Sequence, residues 1–279
     1  MSKKTKLITL FLCLLTMIIS TACRKGESPE NSNSSTSSIT VSGSTSVGPL
    51  MEKEAEKFQE ANSGIKVEIN QLGSSAGIKD AINGTVQIGM SSRDLKDQEK
   101  AEGLTEVEIA YDGIAIITNK ANNIKSLTMS QVKDIYTGKI TNWKELGGKD
   151  SEIVVVSRED GSGTRDAFQE IVGYTSEELT KNAQIGDGSG NIKSTVGGNE
   201  NSIGFISFEY IDDKINALNI DEIEPKAENV KNKSYKISRP FLLIYKEENL
   251  KDNGNKLIDF ILSEEGQKIV EENGLIRIK

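Results

Sequence analysis

The sequence predicts an α/β protein built in two lobes. Two observations carry this. Short β-rich runs alternate with amphipathic helical stretches along the chain. The body, 39–279, is long for one compact core and comfortable for two. Residues 39–41 read as a strand and 49–61 as a helix, opened by Pro49, which suits a first turn where no backbone N–H is needed. Residues 65–71 alternate apolar and polar as a strand does; 78–83 make a short helix, 88–90 a strand and 94–102 a helix. A long apolar stretch runs through 107–118. Beyond it Ser130 is placed to cap a helix carrying Val132, Ile135 and Tyr136. Residues 153–156 read as a buried strand, 164–172 as a helix, 203–207 and 241–245 as strands, and 264–273 as the closing helix.

The first 22 residues stand apart from this body. Lys3, Lys4 and Lys6 precede an apolar run at 7–19, and Ser20-Thr21-Ala22 places small residues before Cys23. This is the layout of an export signal over 1–22, and the run is short for a membrane span. Cys13 leaves with the signal, so the exported body has no partner for an internal disulfide. Cys23 sits where bacterial lipoproteins carry their lipidated cysteine, which makes a lipid anchor the expectation. Ser20 departs from that pattern, and cleavage after Ala22 by an ordinary signal peptidase is the competing reading. The polar tract up to Ser38 buries no apolar surface. With Cys23 it forms an expected tether over 23–38, its ends roughly 20 Å apart.

Composition excludes several functions. The chain carries 34 Lys and Arg against 42 Asp and Glu, for a net charge of −8. Loss of the signal removes three lysines and no acid, which leaves −11. Nucleic acid is not an expected partner of such a surface. Histidine is absent, so neither a histidine-dependent nucleophilic site nor the usual zinc centre is expected. No cofactor, metal or catalytic residue is assigned.

The chemistry concentrates in three turns of similar construction: Gly43-Ser44-Thr45-Ser46-Val47-Gly48-Pro49, Gly73-Ser74-Ser75-Ala76-Gly77 and Asp160-Gly161-Ser162-Gly163-Thr164. Each lies between a strand and a helix. A helix start offers free backbone N–H groups, about half a unit of positive charge and, here, hydroxyl donors. Serine and threonine are also simply good N-caps. Three such turns with Arg158 beside the third point instead to a tetrahedral oxyanion, whose oxygens a guanidinium fork matches. The net negative charge does not oppose this, because it is screened within about 10 Å at ordinary salt. Two other patterns do not fit their motifs. Residues 186–195 resemble a phosphate-cradling loop but lack a glycine before Lys193, and Ser162 has Asp160, not glycine, two residues earlier.

GSTSVGPL at 43–50, GSSAG at 73–77, RxDGSGT at 158–164 and QVKDIYTGKITNW at 131–143 together make the chain resemble the phosphate-binding subunit of bacterial ABC-type phosphate uptake systems, from residue 39 to the end. The resemblance implies a type II periplasmic binding protein fold with the ligand cleft at the hinge. It implies a first lobe over 39–114 and 241–279 and a second over 115–240, with crossings near 112–115 and 239–241. It implies inorganic phosphate held by Thr45, Ser46, Ser74, Arg158, Ser162, Gly163 and Thr164, with Asp160 either orienting Arg158 or capping the helix. It also implies an ABC permease as partner and a location outside the cytoplasm, on the membrane. Well-known members carry an aspartate that accepts a hydrogen bond from protonated phosphate; here Ser92 stands in its place, followed by Arg93. Asp112 is a candidate for the missing acceptor or a purely structural hinge carboxylate. Arg93 is either a second positive contact or a solvated helix-start residue. Sulfate or another tetrahedral oxyanion is the alternative ligand. A phosphoester-cleaving enzyme and a surface signalling or adhesion lipoprotein are the remaining readings.

Overall fold

The computed structural model describes residues 37–278. The expected export signal, Cys23 and the tether up to residue 36 lie outside the described residues. Ser37 and Ser38, expected at the end of the tether, are instead the first residues of strand β1 (Ser37–Gly43), where the Ser37 N–H donates to Gly64 O at 3.1 Å. The chain continues through α1 (Gly48–Ala61), β2 (Ile65–Gln71), α2 (Ser74–Ile82), β3 (Ile88–Ser91) and α3 (Asp97–Lys100). Then come β4 (Thr105–Asn119), β5 (Ser126–Leu127), α4 (Met129–Tyr136), β6 (Val154–Arg158), α5 (Gly163–Val172), β7 (Gln184–Gly186), α6 (Gly188–Gly198) and β8 (Ser202–Ser207). The last elements are β9 (Ile215–Ala217), β10 (Asn219–Ile220), α7 (Ala227–Lys231), β11 (Ser238–Tyr245), α8 (Asp252–Ile261) and α9 (Glu264–Glu272).

One sheet threads the body in the order β2-β1-β3-β11-β4-β8-β6-β7, with β9 also on β4. The β1–β2, β1–β3, β6–β8 and β6–β7 pairs are parallel, whereas β11 is antiparallel to both β3 and β4. β4 is the shared element. Its 105–113 segment pairs with β11 and its 114–118 segment with β8. Two hydrophobic cores flank that handover. One gathers Ile39, Leu50, Phe58, Ile88, Phe241 and Leu257. The other gathers Ile116, Tyr136, Trp143, Phe168, Ile192 and Phe205, with Phe168 and Phe205 stacked at 4.1 Å. At about 25 cal/mol per Å2 of apolar area, burial of such side chains is the main force holding each core.

Local chemistry explains the element boundaries. α1 starts without a side-chain cap on its own N-cap residue; Ser44 Oγ instead accepts from the Ser46 and Val47 N–H groups. α2 begins at Ser74 rather than near Ile78, so the Gly-Ser-Ser-Ala-Gly run is its first turn. That turn packs on the end of β1. Gly43 has φ +137°, and a Cβ there would overlap Met90 O, while one on Gly77 would overlap Gly43 Cα and Ser42 O. α4 is capped by Thr128, not Ser130, through a reciprocal pair with Gln131. The sequence pattern does not predict α6, α7 or α8, nor the short strands β5, β7, β9 and β10. α6 carries four glycines in eleven residues, a composition that disfavours helix, and it is held by burying Ile192 and Val196 in the second core.

Candidate functional site

The starts of α1, α2, α5 and α6 meet at one place. Ser46 Oγ, in the turn before α1, lies 2.8 Å from Thr164 Oγ1 at the start of α5 and 3.0 Å from Ser189 Oγ at the start of α6. Ser46, Ser189 and Thr164 are buried. Arg158 ends β6 beside them and is 1% exposed. Its Nη2–H donates to Thr45 Oγ1 at 3.0 Å and its Nη1–H to Ser189 Oγ at 3.2 Å. Below, Ser74 Oγ accepts from the Ser92 N–H and lies 3.2 Å from Ser92 Oγ. Gly163 comes so close to this pair that a Cβ on it would overlap Ser74 Oγ and reach within 2.8 Å of Ser92 Oγ. Further bonds join the two sides: the Ser75 N–H donates to Gly161 O at 3.1 Å and the Tyr210 hydroxyl to Thr45 O at 2.9 Å.

Thr45, Ser46, Ser74, Ser92, Arg158, Gly163 and Thr164 therefore come together, as the sequence suggests. Ser162 stands at the edge of this group as the N-cap of α5, its Oγ accepting from the Arg165 N–H. Three expectations change. Asp160 does not orient Arg158; it pairs with Arg165 at 2.6 Å, and Glu159 holds Arg158 through Nε and Nη2, both at 2.7 Å. The two-residue turn after β6 points Asp160 outward, 96% exposed, and Glu159 inward. Asp112 is not a free second acceptor, and Arg239 stands between it and Ser92. Asp112 is fully buried where β4 passes between the cores and receives Ser207 Oγ–H, the Phe208 N–H and two bonds from Arg239. Burial pushes its carboxyl above the usual range, and these four donors oppose the shift. Arg93 is not solvated. Its Nη1 and Nη2 both reach Glu99 at 2.8 Å, and its Nε lies 3.0 Å from Asp166 Oδ2 across the cluster, a charge contact rather than an aligned hydrogen bond. Burial alone would lower the Arg93 pKa, yet the Glu99 and Asp166 carboxylates raise it above its ordinary value. Burial likewise works against Glu99 and Glu159, and the bonds from Arg93 and Arg158 outweigh it and hold both below the usual carboxylate range.

Ser189 is the site residue that sequence reasoning missed. Residues 186–195 do not match the spacing of a phosphate-cradling loop, but 187–190 repeat the polar, glycine-rich helix start of the other turns.

The electrostatics are close to neutral: Arg158 faces Glu159, Arg93 faces Glu99 and Asp166, and Arg239 faces Asp112. What distinguishes the cluster is its density of neutral donors. Hydroxyls and helix-start N–H groups in a water-poor setting hold an anion through fixed dipoles. Among the described residues, no group of three or more His, Cys, Asp or Glu side chains is placed to bind a metal ion.

A family model described as a PBP superfamily domain matches residues 28–265. The chain is 34% identical over 291 residues to the phosphate-binding protein PstS of Bacillus subtilis, covering 99% of this chain and 95% of that one. It is 29% identical over 251 residues to PstS of Borreliella burgdorferi, covering 86% and 90%. Among solved structures, a Clostridium perfringens ABC transporter substrate-binding protein with bound phosphate shares 67% identity at a TM-score of 0.86, over 87% of this chain and all of that one. An ABC-type phosphate transport receptor from Vibrio cholerae shares 36% identity at a TM-score of 0.73, over 86% of this chain and all of that one. Fold and site thus define a type II periplasmic binding protein. Within that class, the chain belongs to the PstS family of phosphate-binding proteins.

Proposed function

We propose that this protein captures inorganic phosphate outside the cytoplasm and delivers it to an ABC permease, acting as a receptor and not as an enzyme. Two lobes, 39–114 with 241–279 and 115–240, close on the anion by hinge motion where β4 and β11 cross. Thr45, Ser46, Ser74, Arg158, Ser162, Gly163 and Thr164 hold it, with Ser92 beside Ser74. A lipid on Cys23 and the tether behind it keep the receptor at the membrane. The observation that carries this reading is the meeting of Ser46, Thr164 and Ser189 hydroxyls from separate helix starts beside Arg158. The bound phosphate of the Clostridium perfringens relative supports the choice of ligand.

Isothermal titration tests it. Phosphate is expected to bind one-to-one and far more tightly than sulfate, and Arg158→Ala to weaken phosphate by about 100-fold, as loss of a buried charged donor does. Wild-type affinities that are equal for the two anions would instead support a general receptor for tetrahedral oxyanions. Ser92 in place of a carboxylate is the observation behind that second reading, since a hydroxyl rejects fully ionised sulfate less strongly.

A further inference from the structure

Phosphate at neutral pH carries at least one P–OH group and sulfate carries none, so a receptor that separates them needs an acceptor facing the ligand. Ser92 provides no carboxylate; Asp112, Glu99 and Glu159 are bonded to Arg239, Arg93 and Arg158, and Asp166 is paired with Arg93 and Lys96. The geometry points to Ser189 as a specificity-determining ligand contact that, through a chain of hydroxyls, takes over this acceptor role. The inference rests on the phosphate reading above.

Ser189 Oγ, Ser46 Oγ and Thr164 Oγ1 form a chain with links of 3.0 and 2.8 Å. Each hydroxyl has one proton and two lone pairs. Two links use two of the three protons, whichever way the chain runs. When both links point the same way, one end of the chain presents a free O–H and the other end a free lone pair; when both ends donate to Ser46, both ends keep lone pairs and Ser46 keeps the free O–H. Arg158 Nη1, which can only donate, bonds Ser189 Oγ and occupies one of its lone pairs. When Ser189 passes its proton toward Ser46, its second lone pair is left to accept from P–OH, while Thr164 donates to a P–O oxygen. When the chain runs the other way, Thr164 accepts and Ser189 donates. Either direction serves an anion that has both a P–OH and a P–O oxygen, and either leaves one mismatched contact with sulfate. The chain draws its members from the starts of α1, α5 and α6, so it forms only when these three elements are together.

The test is titration of the intact protein and its Ser189→Ala variant with phosphate, and with sulfate by displacement of phosphate. The expected result is a loss of about tenfold for phosphate with a smaller loss for sulfate, so that the preference narrows. Equal losses for both anions would reduce Ser189 to a support for Arg158 and overturn the proposal. Affinities within twofold of wild type, or a larger loss for sulfate, would overturn it as well. Wild-type protein that fails to bind phosphate would sink the functional reading itself, a separate outcome. Thermal unfolding of the ligand-free variant checks its fold; if Ser189→Ala is unfolded, Ser189→Cys, close in shape with a weak thiol donor and acceptor, is read in the same way.

Discussion

Glu54 shows at single-residue scale what the fold tolerates. It lies on the buried side of α1, and neither carboxylate oxygen has a hydrogen-bond partner among the described residues. Burial first, and the negative charge of Glu265 second, push its carboxyl up to about 9. In the unfolded chain it titrates near 4.5. A group with a raised folded pKa contributes stability that is complete below the unfolded value and is lost as pH rises toward the folded value. Wild-type protein should therefore lose melting temperature between about pH 5 and pH 9, by roughly 2–4 °C for each kcal/mol lost. Glu54→Gln should flatten that profile and be the more stable of the two at pH 8. A melting-temperature series that is parallel for both proteins would refute the assignment. Nothing in the sequence marks Glu54 as buried, because its neighbours Glu52, Lys53 and Glu56 give the helix a charged appearance.

At the scale of elements, the start of α5 against the start of α2 is the tightest fit in the site. Gly163 is the first residue of α5, and alanine is a better helix former there than glycine. Its methyl group would nonetheless overlap Ser74 Oγ. Gly163→Ala is expected to weaken phosphate at least about tenfold, because overpacking opposes the close approach of α5 to α2. Full wild-type affinity in calorimetry would contradict a role for this close packing in binding. The turns before α1, α2 and α5 were legible in the sequence because small residues, hydroxyls and a following apolar periodicity coincide there. α6 was not, because its glycines weaken the helical signal and its burial depends on β8 and the second core.

Across the whole molecule, charge pairs as well as hydroxyls join the two sides of the site. Asp166 on α5 lies 3.0 Å from both Arg93 Nε and Lys96 Nζ on the opposite side. Asp166→Asn should speed phosphate release severalfold with little change in the association rate, as for a partly exposed pair worth about 1 kcal/mol. Stopped-flow traces with an unchanged release rate would remove this latch from the account. The paired strands β4 and β11 are tied to the same site: Arg239 bonds Asp112 and also donates to Ser92 O at 3.2 Å, so the backbone beside Ser74 is anchored to that pair. By itself, the sequence determined the α/β class, most of the strands and helices, the hydroxyl-bearing turns and the family. These follow from local periodicity, capping chemistry and motif spacing, which neighbouring residues carry. Only the tertiary structure decided that Glu159 and not Asp160 holds Arg158, that Asp112 pairs with Arg239, that Arg93 reaches across to Asp166, and that Ser189 lies beside Ser46, which also meets Thr164. Each of those pairings but the first joins residues tens to more than a hundred positions apart, and the first turns on which way a two-residue bend points its side chains. Distance through the fold, not order along the chain, sets which groups share a proton or a charge.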